Sequence, residues 1–185
     1  MKRGIQLIRY RDLIGAKVVE KKNGERIGEI SDVIFKEDFQ SFVGFLIKGG
    51  KILKQKKTIE LERVTSFGKD AIMIDLGKNL SIKNSNIEEG ITEEEIKFID
   101  KEILTQDGEC LGYVKDLLFS KDDGKLIGYI ITEGLIEDIT KGRSFIPNFS
   151  NVKTNKEHLI VDNEVKDLIS KNKEKYKKLL ELVER

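Results

Sequence analysis

The sequence predicts a mainly β protein: two tandem small β-barrels followed by a C-terminal α-helix. Three observations lead there. One stretch of the chain recurs further along it, each copy consists of short apolar segments between turn residues, and the chain after Asn163 changes to helical periodicity.

The repeat comes first. Residues 17–47 align without gaps to residues 101–131 at an offset of 84. Nine of the 31 pairs are identical: Lys17/Lys101, Gly24/Gly108, Glu25/Glu109, Gly28/Gly112, Asp32/Asp116, Phe35/Phe119, Asp38/Asp122, Gly44/Gly128 and Ile47/Ile131. After a few extra residues in the second copy, Val64 corresponds to Val152 and Ile72–Asp75 to Leu159–Asp162. Two units of this size are duplicated small domains rather than a solenoid, whose units are shorter and more numerous. The first domain is placed at residues 1–78, a linker at 79–91, the second domain at 92–162 and the terminal helix at 163–185.

Within each copy the elements follow in order. Lys17–Glu20 and Ile27–Ile30 flank Asn23-Gly24, and Asp107-Gly108 stands at the same place in the second copy. Asn-Gly and Asp-Gly between extended segments predict a hairpin with a type I′ turn, which needs positive φ at both central residues. Asp32–Phe35 and Phe42–Ile47 follow, matched by Asp116–Phe119 and Leu126–Ile131 around the turn Asp122-Asp123-Gly124-Lys125. Later strands are expected at Thr58–Val64 and Ala71–Leu76, and at Phe145–Val152 and His158–Asp162. Five or six short strands with regular turn signals fit a barrel or sandwich. The apolar side of the third segment switches near Asp32, and again near Asp116. A β-bulge explains the switch, with each carboxylate bonding freed backbone amides. A paired carboxylate site is the functional alternative.

Helices are expected in two places. Thr92-Glu93-Glu94-Glu95 has capping-box spacing and leads into Ile96, Phe98 and Ile99. Val165, Leu168, Ile169, Tyr176, Leu179, Leu180 and Val183 recur at helical spacing between Lys and Glu residues. Such an amphipathic helix either packs on a barrel or binds a partner.

Composition narrows the chemistry. Of 185 residues, 38% are apolar and 36% charged, a lean core and a large surface, as two small domains would have. Thirty-four Lys and Arg against 33 Asp and Glu leave a net charge of +1, so no global field draws the chain to nucleic acid or an anionic membrane. One Cys and one His exclude a disulfide framework and a Cys/His metal cluster within the chain. No signal-like or membrane-spanning apolar run is visible, which places the protein in the cytosol with Cys110 reduced.

The pattern Glu-x-[Ile/Leu]-Gly-x-[Ile/Val]-x-Asp-[Val/Leu]-[Ile/Leu]-Phe, carried by Glu25–Phe35 and Glu109–Phe119 after a turn glycine, resembles the PRC-barrel domain. Ile146-Pro147 followed by Val152 is similar to that family's Pro-containing strand, whereas the first copy has Thr58-Ile59 there. The resemblance covers roughly residues 10–76 and 94–162, and the whole is most like the tandem PRC-barrel proteins of low-GC Gram-positive bacteria. It implies two PRC-type barrels with repeat positions Gly24, Gly28, Asp32, Gly44, Gly108, Gly112, Asp116 and Gly128. It also implies a non-catalytic role, docking on a larger assembly. Relatives include the photosynthetic reaction-centre H subunit and a ribosome maturation factor.

Candidate sites are sparse. His158 opens a strand with no second His to pair with, and reads as solvated or capping. Cys110 takes the place of Arg26, which implies exposure, and no base adjoins it. The acidic run Glu88-Glu89 and Glu93–Glu95 fits a helix start. Asp122-Asp123-Gly124 reads as a turn rather than a calcium loop, and Gly49-Gly50-Lys51 lacks Walker spacing. Lys48, Lys51, Lys54, Lys56 and Lys57 form the most basic stretch, opposed in the second copy by Glu133, Glu137 and Asp138. This predicts an interaction protein with a protein partner, no cofactor, no catalytic residues and no membrane insertion, and a homo-oligomer is compatible. An RNA- or ribosome-associated role through Lys48–Lys57 is the alternative.

Overall fold

The computed structural model describes residues 6–49, 57–77, 91–132, 144–148, 152–155 and 157–183. The first copy contains β1 (Leu7–Arg9), the short α1 (Tyr10–Leu13), β2 (Lys17–Glu20), β3 (Arg26–Phe35), β4 (Phe42–Lys48), β5 (Lys57–Glu60), β6 (Val64–Phe67) and β7 (Ala71–Ile74). The second contains β8 (Ile91–Thr92), α2 (Glu93–Ile96), β9 (Glu102–Thr105), β10 (Cys110–Ser120), β11 (Leu126–Thr132), β12 (Ser144–Pro147), β13 (Lys153–Thr154) and β14 (His158–Val161). Two helices, α3 (Val165–Lys171) and α4 (Lys173–Val183), follow.

Each copy is one bent sheet with the same strand order, β5-β4-β3-β2-β7-β6 and β12-β11-β10-β9-β14-β13. The pair β2–β7, like β9–β14, is parallel, and the other neighbours run antiparallel. In the first copy the two ends of the path are β5 and β6, consecutive in the chain and joined by the 3-10 turn Leu61–Arg63. That turn holds the two edges together although they do not pair, and it interrupts what the sequence reads as one strand over Thr58–Val64. The expected hairpins stand at Asn23-Gly24 and Asp107-Gly108, but the turn type differs. Only the glycines have positive φ, 70° and 88°, and Asn23 Oδ1 instead accepts the Glu25 N–H at 3.0 Å. A longer loop closed by one left-handed glycine replaces the two-residue type I′ turn.

The bulge lies where the alternation switches. Pairing of β3 with β4 slips between Ile30 and Asp32, and pairing of β10 with β11 slips between Val114 and Asp116. Asp32 Oδ1 accepts the Val33 N–H at 2.7 Å and Asp116 Oδ1 the Leu117 N–H at 2.9 Å. Gly44 and Gly128 are needed where neighbouring strands close in. A Cβ on Gly44 would lie 2.5 Å from the Ile59 carbonyl oxygen, and one on Gly128 2.3 Å from that of Ile146.

The two copies do not stand apart as beads. β1, at the start of the first copy, pairs with β10 of the second, and β8, at the start of the second, pairs with β3 of the first. The registers are equivalent: Ile8 faces Phe119 and Ile91 faces Phe35, and Phe35 and Phe119 are repeat partners. The hairpin tips also pair. The Phe42 N–H donates to the Gly124 carbonyl and the Leu126 N–H to the Gln40 carbonyl, around a bridge between Ser41 and Lys125. The tip contacts map onto each other by the offset of 84, and β1 maps onto β8 by 83, so a pseudo-two-fold axis passes through the seam. One apolar core crosses it: Phe35, Phe42, Phe98 and Phe119, each at most 1% exposed, form a chain of ring contacts 5.0–5.8 Å apart.

The C-terminal helix breaks at Asn172. Tyr176, Leu179, Leu180 and Val183 pack with Leu118, Ile130 and Phe145 on the outer face of the second sheet, and the Phe145 and Tyr176 rings meet at 5.3 Å. Its apolar face is therefore used inside the molecule.

Candidate functional site: the seam between the copies

Polar side chains are drawn into the seam by the segments that cross it. α1 places the Tyr10 hydroxyl 3.1 Å from Asp32 Oδ1, to which it donates. The Arg11 N–H donates to Asp116 Oδ1 at 3.2 Å, and Arg11 Nε lies 2.8 Å from Asp116 Oδ2. Both aspartates are buried, Asp116 completely. Burial pushes the Asp116 carboxyl above its usual range, against the pull of the Arg11 and Leu117 amides and the Arg11 guanidinium. Burial, followed by the charge of Asp32, drives the Tyr10 hydroxyl far up. The two aspartates thus fasten their own bulges and dock adjacent residues of α1, Tyr10 and Arg11.

On the other side of the axis, α2 starts with the expected capping box: Thr92 Oγ1 accepts the Glu95 N–H, and Glu95 Oε2 accepts the Thr92 N–H at 2.8 Å. At the equivalent place α1 starts with Arg9, whose guanidinium pairs with Asp12 through two hydrogen bonds of 3.0 and 3.1 Å. Glu93 departs from the solvated first-turn role that its position implies. It is 7% exposed, accepts the Ile99 N–H at 2.8 Å, and burial pushes its carboxyl up to about 7, with Asp32 adding to the rise and Lys101 opposing it. Lys101 is itself buried, donates to Thr154 Oγ1 at 2.7 Å and lies 5.3 Å from the Phe98 ring centre. The sequence marks Glu93 by its charge alone. Only the β3–β8 pairing, which tucks α2 against the first sheet, reveals its burial.

Above this layer the seam opens into a groove of about 630 Å³. β4 supplies Phe42 and Val43, the turn after β5 supplies Leu61 and Glu62, β6 supplies Val64 and Phe67, and the second copy's hairpin tip supplies Lys121, Asp122 and Asp123. Val43 is 36% exposed in its floor. Both copies therefore build it, and neither alone encloses it.

The family model for the PRC-barrel domain matches residues 6–80 and again residues 96–168. The chain belongs to the PRC-barrel family. No curated protein matches it. Tandem PRC-barrel domains are thus the two halves of the pseudo-symmetric body described above.

The remaining residues singled out in the sequence stand as follows in this PRC-barrel protein. Lys48 is exposed at the end of β4. Lys51, Lys54 and Lys56, like Glu133, Glu137, Asp138 and Glu88-Glu89, lie outside the described residues, as does the Lys57 side chain. Gly50, the second glycine of the pair opening the basic stretch, lies outside them too. His158 is partly exposed with Nε2 3.3 Å from Glu102 Oε2. Cys110 is exposed, and burial of its sulfur with the nearby Glu102 carboxylate raises its thiol above the ordinary value, the opposite of activation. Gly124, in the turn after Asp122-Asp123, has φ of 70° and lies against the Phe42 carbonyl across the seam. Among the described residues no group of three or more His, Cys, Asp or Glu is arranged to hold a metal ion, and no helix is long and apolar enough to cross a membrane.

Proposed function

We propose that this PRC-barrel protein is a non-catalytic docking module of the cytosol that holds a protein partner in the groove across its seam. The observation that carries this reading is the groove itself. Its floor presents an exposed valine on a rigid strand, its walls come from both copies, and its rim is charged, which is the layout of an interaction surface rather than of a reaction chamber. Family membership supports the same reading, since PRC-barrel domains commonly serve protein interactions.

The test is quantitative affinity capture from the native host with the full chain and with Val43→Asp. Val43 is partly exposed on β4, and circular dichroism and thermal melting check that the variant stays folded. A protein retained by the native chain and lost from the variant supports the reading. Equal retention by both overturns it. So does recovery of RNA in place of a protein when that RNA is released by reversing Lys48, Lys51, Lys54, Lys56 and Lys57, an outcome that assigns the chain an RNA-associated role.

A further inference from the structure

We propose that the seam groove receives an extended peptide segment in which aliphatic residues alternate with Lys or Arg; this rests on the docking reading above and names the chemistry of the partner. Three observations converge on it. The floor is aliphatic and aromatic, with Val43 exposed beside Leu61, Val64 and Phe67. The rim is acidic: Glu60, Glu62, Asp122 and Asp123 outnumber Lys36 and Lys121 by two charges. One of the two lysines is already engaged, its Nζ 5.9 Å from the Phe67 ring centre. The Ser120 hydroxyl and the Lys125 N–H hold the Asp123 carboxyl below its ordinary range, so that charge persists through neutral pH. All four carboxylates are exposed; Glu60 also pairs with Arg63 at 3.5 Å and Asp123 accepts the Lys125 N–H at 3.2 Å.

The third observation fixes the conformation of the occupant. β6 forms one wall of the groove and ends the strand path of its sheet, pairing with β7 on one side and with no other described strand. A segment laid along that edge extends the ladder through its backbone. Side chains of an extended segment alternate sides, so every second residue faces the floor while its neighbours reach the rim. Apolar residues suit the first set and cations the second. An anionic partner meets the same rim as repulsion.

The experiment uses the full chain and fluorescence anisotropy with labelled peptides of roughly seven residues. One alternates Lys with Val, a second alternates Glu with Val, and a third alternates Lys with Gly. The Lys–Val peptide is expected to bind about tenfold or more tighter than either control, with affinity falling as salt rises. Glu62→Lys combined with Asp122→Lys, and separately Val43→Asp, each weaken it about tenfold while far-ultraviolet circular dichroism and thermal melting stay unchanged. Binding of the Glu–Val peptide as tight as that of Lys–Val, or binding indifferent to these substitutions, overturns the proposal. If the Lys–Val peptide is ignored while a host protein is still captured in a Val43-dependent way, this chemistry falls and the docking reading stands. If Val43→Asp changes neither peptide binding nor capture, both fall.

Discussion

Truncating either phenylalanine on the pseudo-two-fold axis tests whether the two copies are one folding unit. Phe35 and Phe119 are repeat partners, both completely buried, and their rings meet at 5.8 Å. Phe119 also contacts Phe42 at 5.0 Å, and Phe35 contacts Phe98 at 5.6 Å. Removing such a ring forfeits its transfer free energy and leaves a cavity that rigid strands cannot close, so each Phe→Ala change costs about 3–5 kcal/mol. For a chain of this size, about 4 kcal/mol lowers the melting temperature by roughly 8–16 °C. Because the core is continuous across the seam, the loss falls on both copies. Urea titration followed by circular dichroism should show one transition displaced as a whole. Native-state hydrogen exchange should lose protection in β2 and β7 of the first copy as much as in β9 and β14 of the second, whichever phenylalanine is changed. Phe35→Ala with Phe119→Ala should cost less than the sum, since the two rings share one cavity. Two separate transitions, of which only the mutated copy's moves, would refute the idea of a shared core.

Three further outcomes follow from the seam and the strands around it. Asp116→Ala strands the Arg11 and Leu117 amides inside the protein and should cost about 3 kcal/mol, with Asp116→Asn costing less because one acceptor survives; equilibrium unfolding measures both. Gly128→Ala drives a methyl group against the Ile146 carbonyl and should destabilise by about 2 kcal/mol or more, whereas Gly24→Ala, with open space around it, carries only its backbone strain. Glu93 has a folded-state pKa of about 7 against an ordinary value of 4.5, so the folded state holds the extra proton between these limits. Its contribution to stability is complete below pH 4.5 and is lost as pH rises through 7, amounting to at most about 3 kcal/mol and to roughly half of that after solvent screening. Glu93→Gln should flatten that slope and raise the melting temperature at pH 8; an unchanged slope would mean that another group titrates there.

The parts legible in the sequence are those that local chemistry determines. The bulges were readable because the apolar side changes at an aspartate in both copies, and a carboxylate that must satisfy its own backbone leaves that mark in the pattern. The capping box was readable because Thr92 and Glu95 need only each other. The parallel closure of β2 on β7, the exchange of β1 and β8 between sheets, and the burial of Glu93 were not. Leu7-Ile8-Arg9 and Ile91-Thr92 are too short to say which sheet they join, and the choice is made by Phe119 and Phe35 far along the chain. The type I′ expectation failed for a related reason. Asn-Gly favours that turn, yet Asn23 spends its side chain on the Glu25 N–H, and a longer loop results.

The exchange also explains how two copies of one barrel have drifted apart without losing their union. Backbone pairing of β1 with β10, of β8 with β3 and of tip with tip is indifferent to side-chain chemistry, so it keeps the axis while residues near it change. Arg9 and Thr92 occupy equivalent places, yet only Thr92 caps its helix, through a capping box, while the Arg9 side chain pairs with Asp12. Tyr10 and Glu93 are equivalent as well, one a hydroxyl donating to Asp32, the other a carboxyl whose ionisation Asp32 opposes. A symmetric pair of separate chains must carry every such residue twice, once on each side of its axis. Joining the copies in one polypeptide lifts that constraint. The seam groove is lined by β4, β6 and the 3-10 turn of one copy and by a hairpin tip of the other. A surface that an exact two-fold would have to duplicate is then free to change on one side alone.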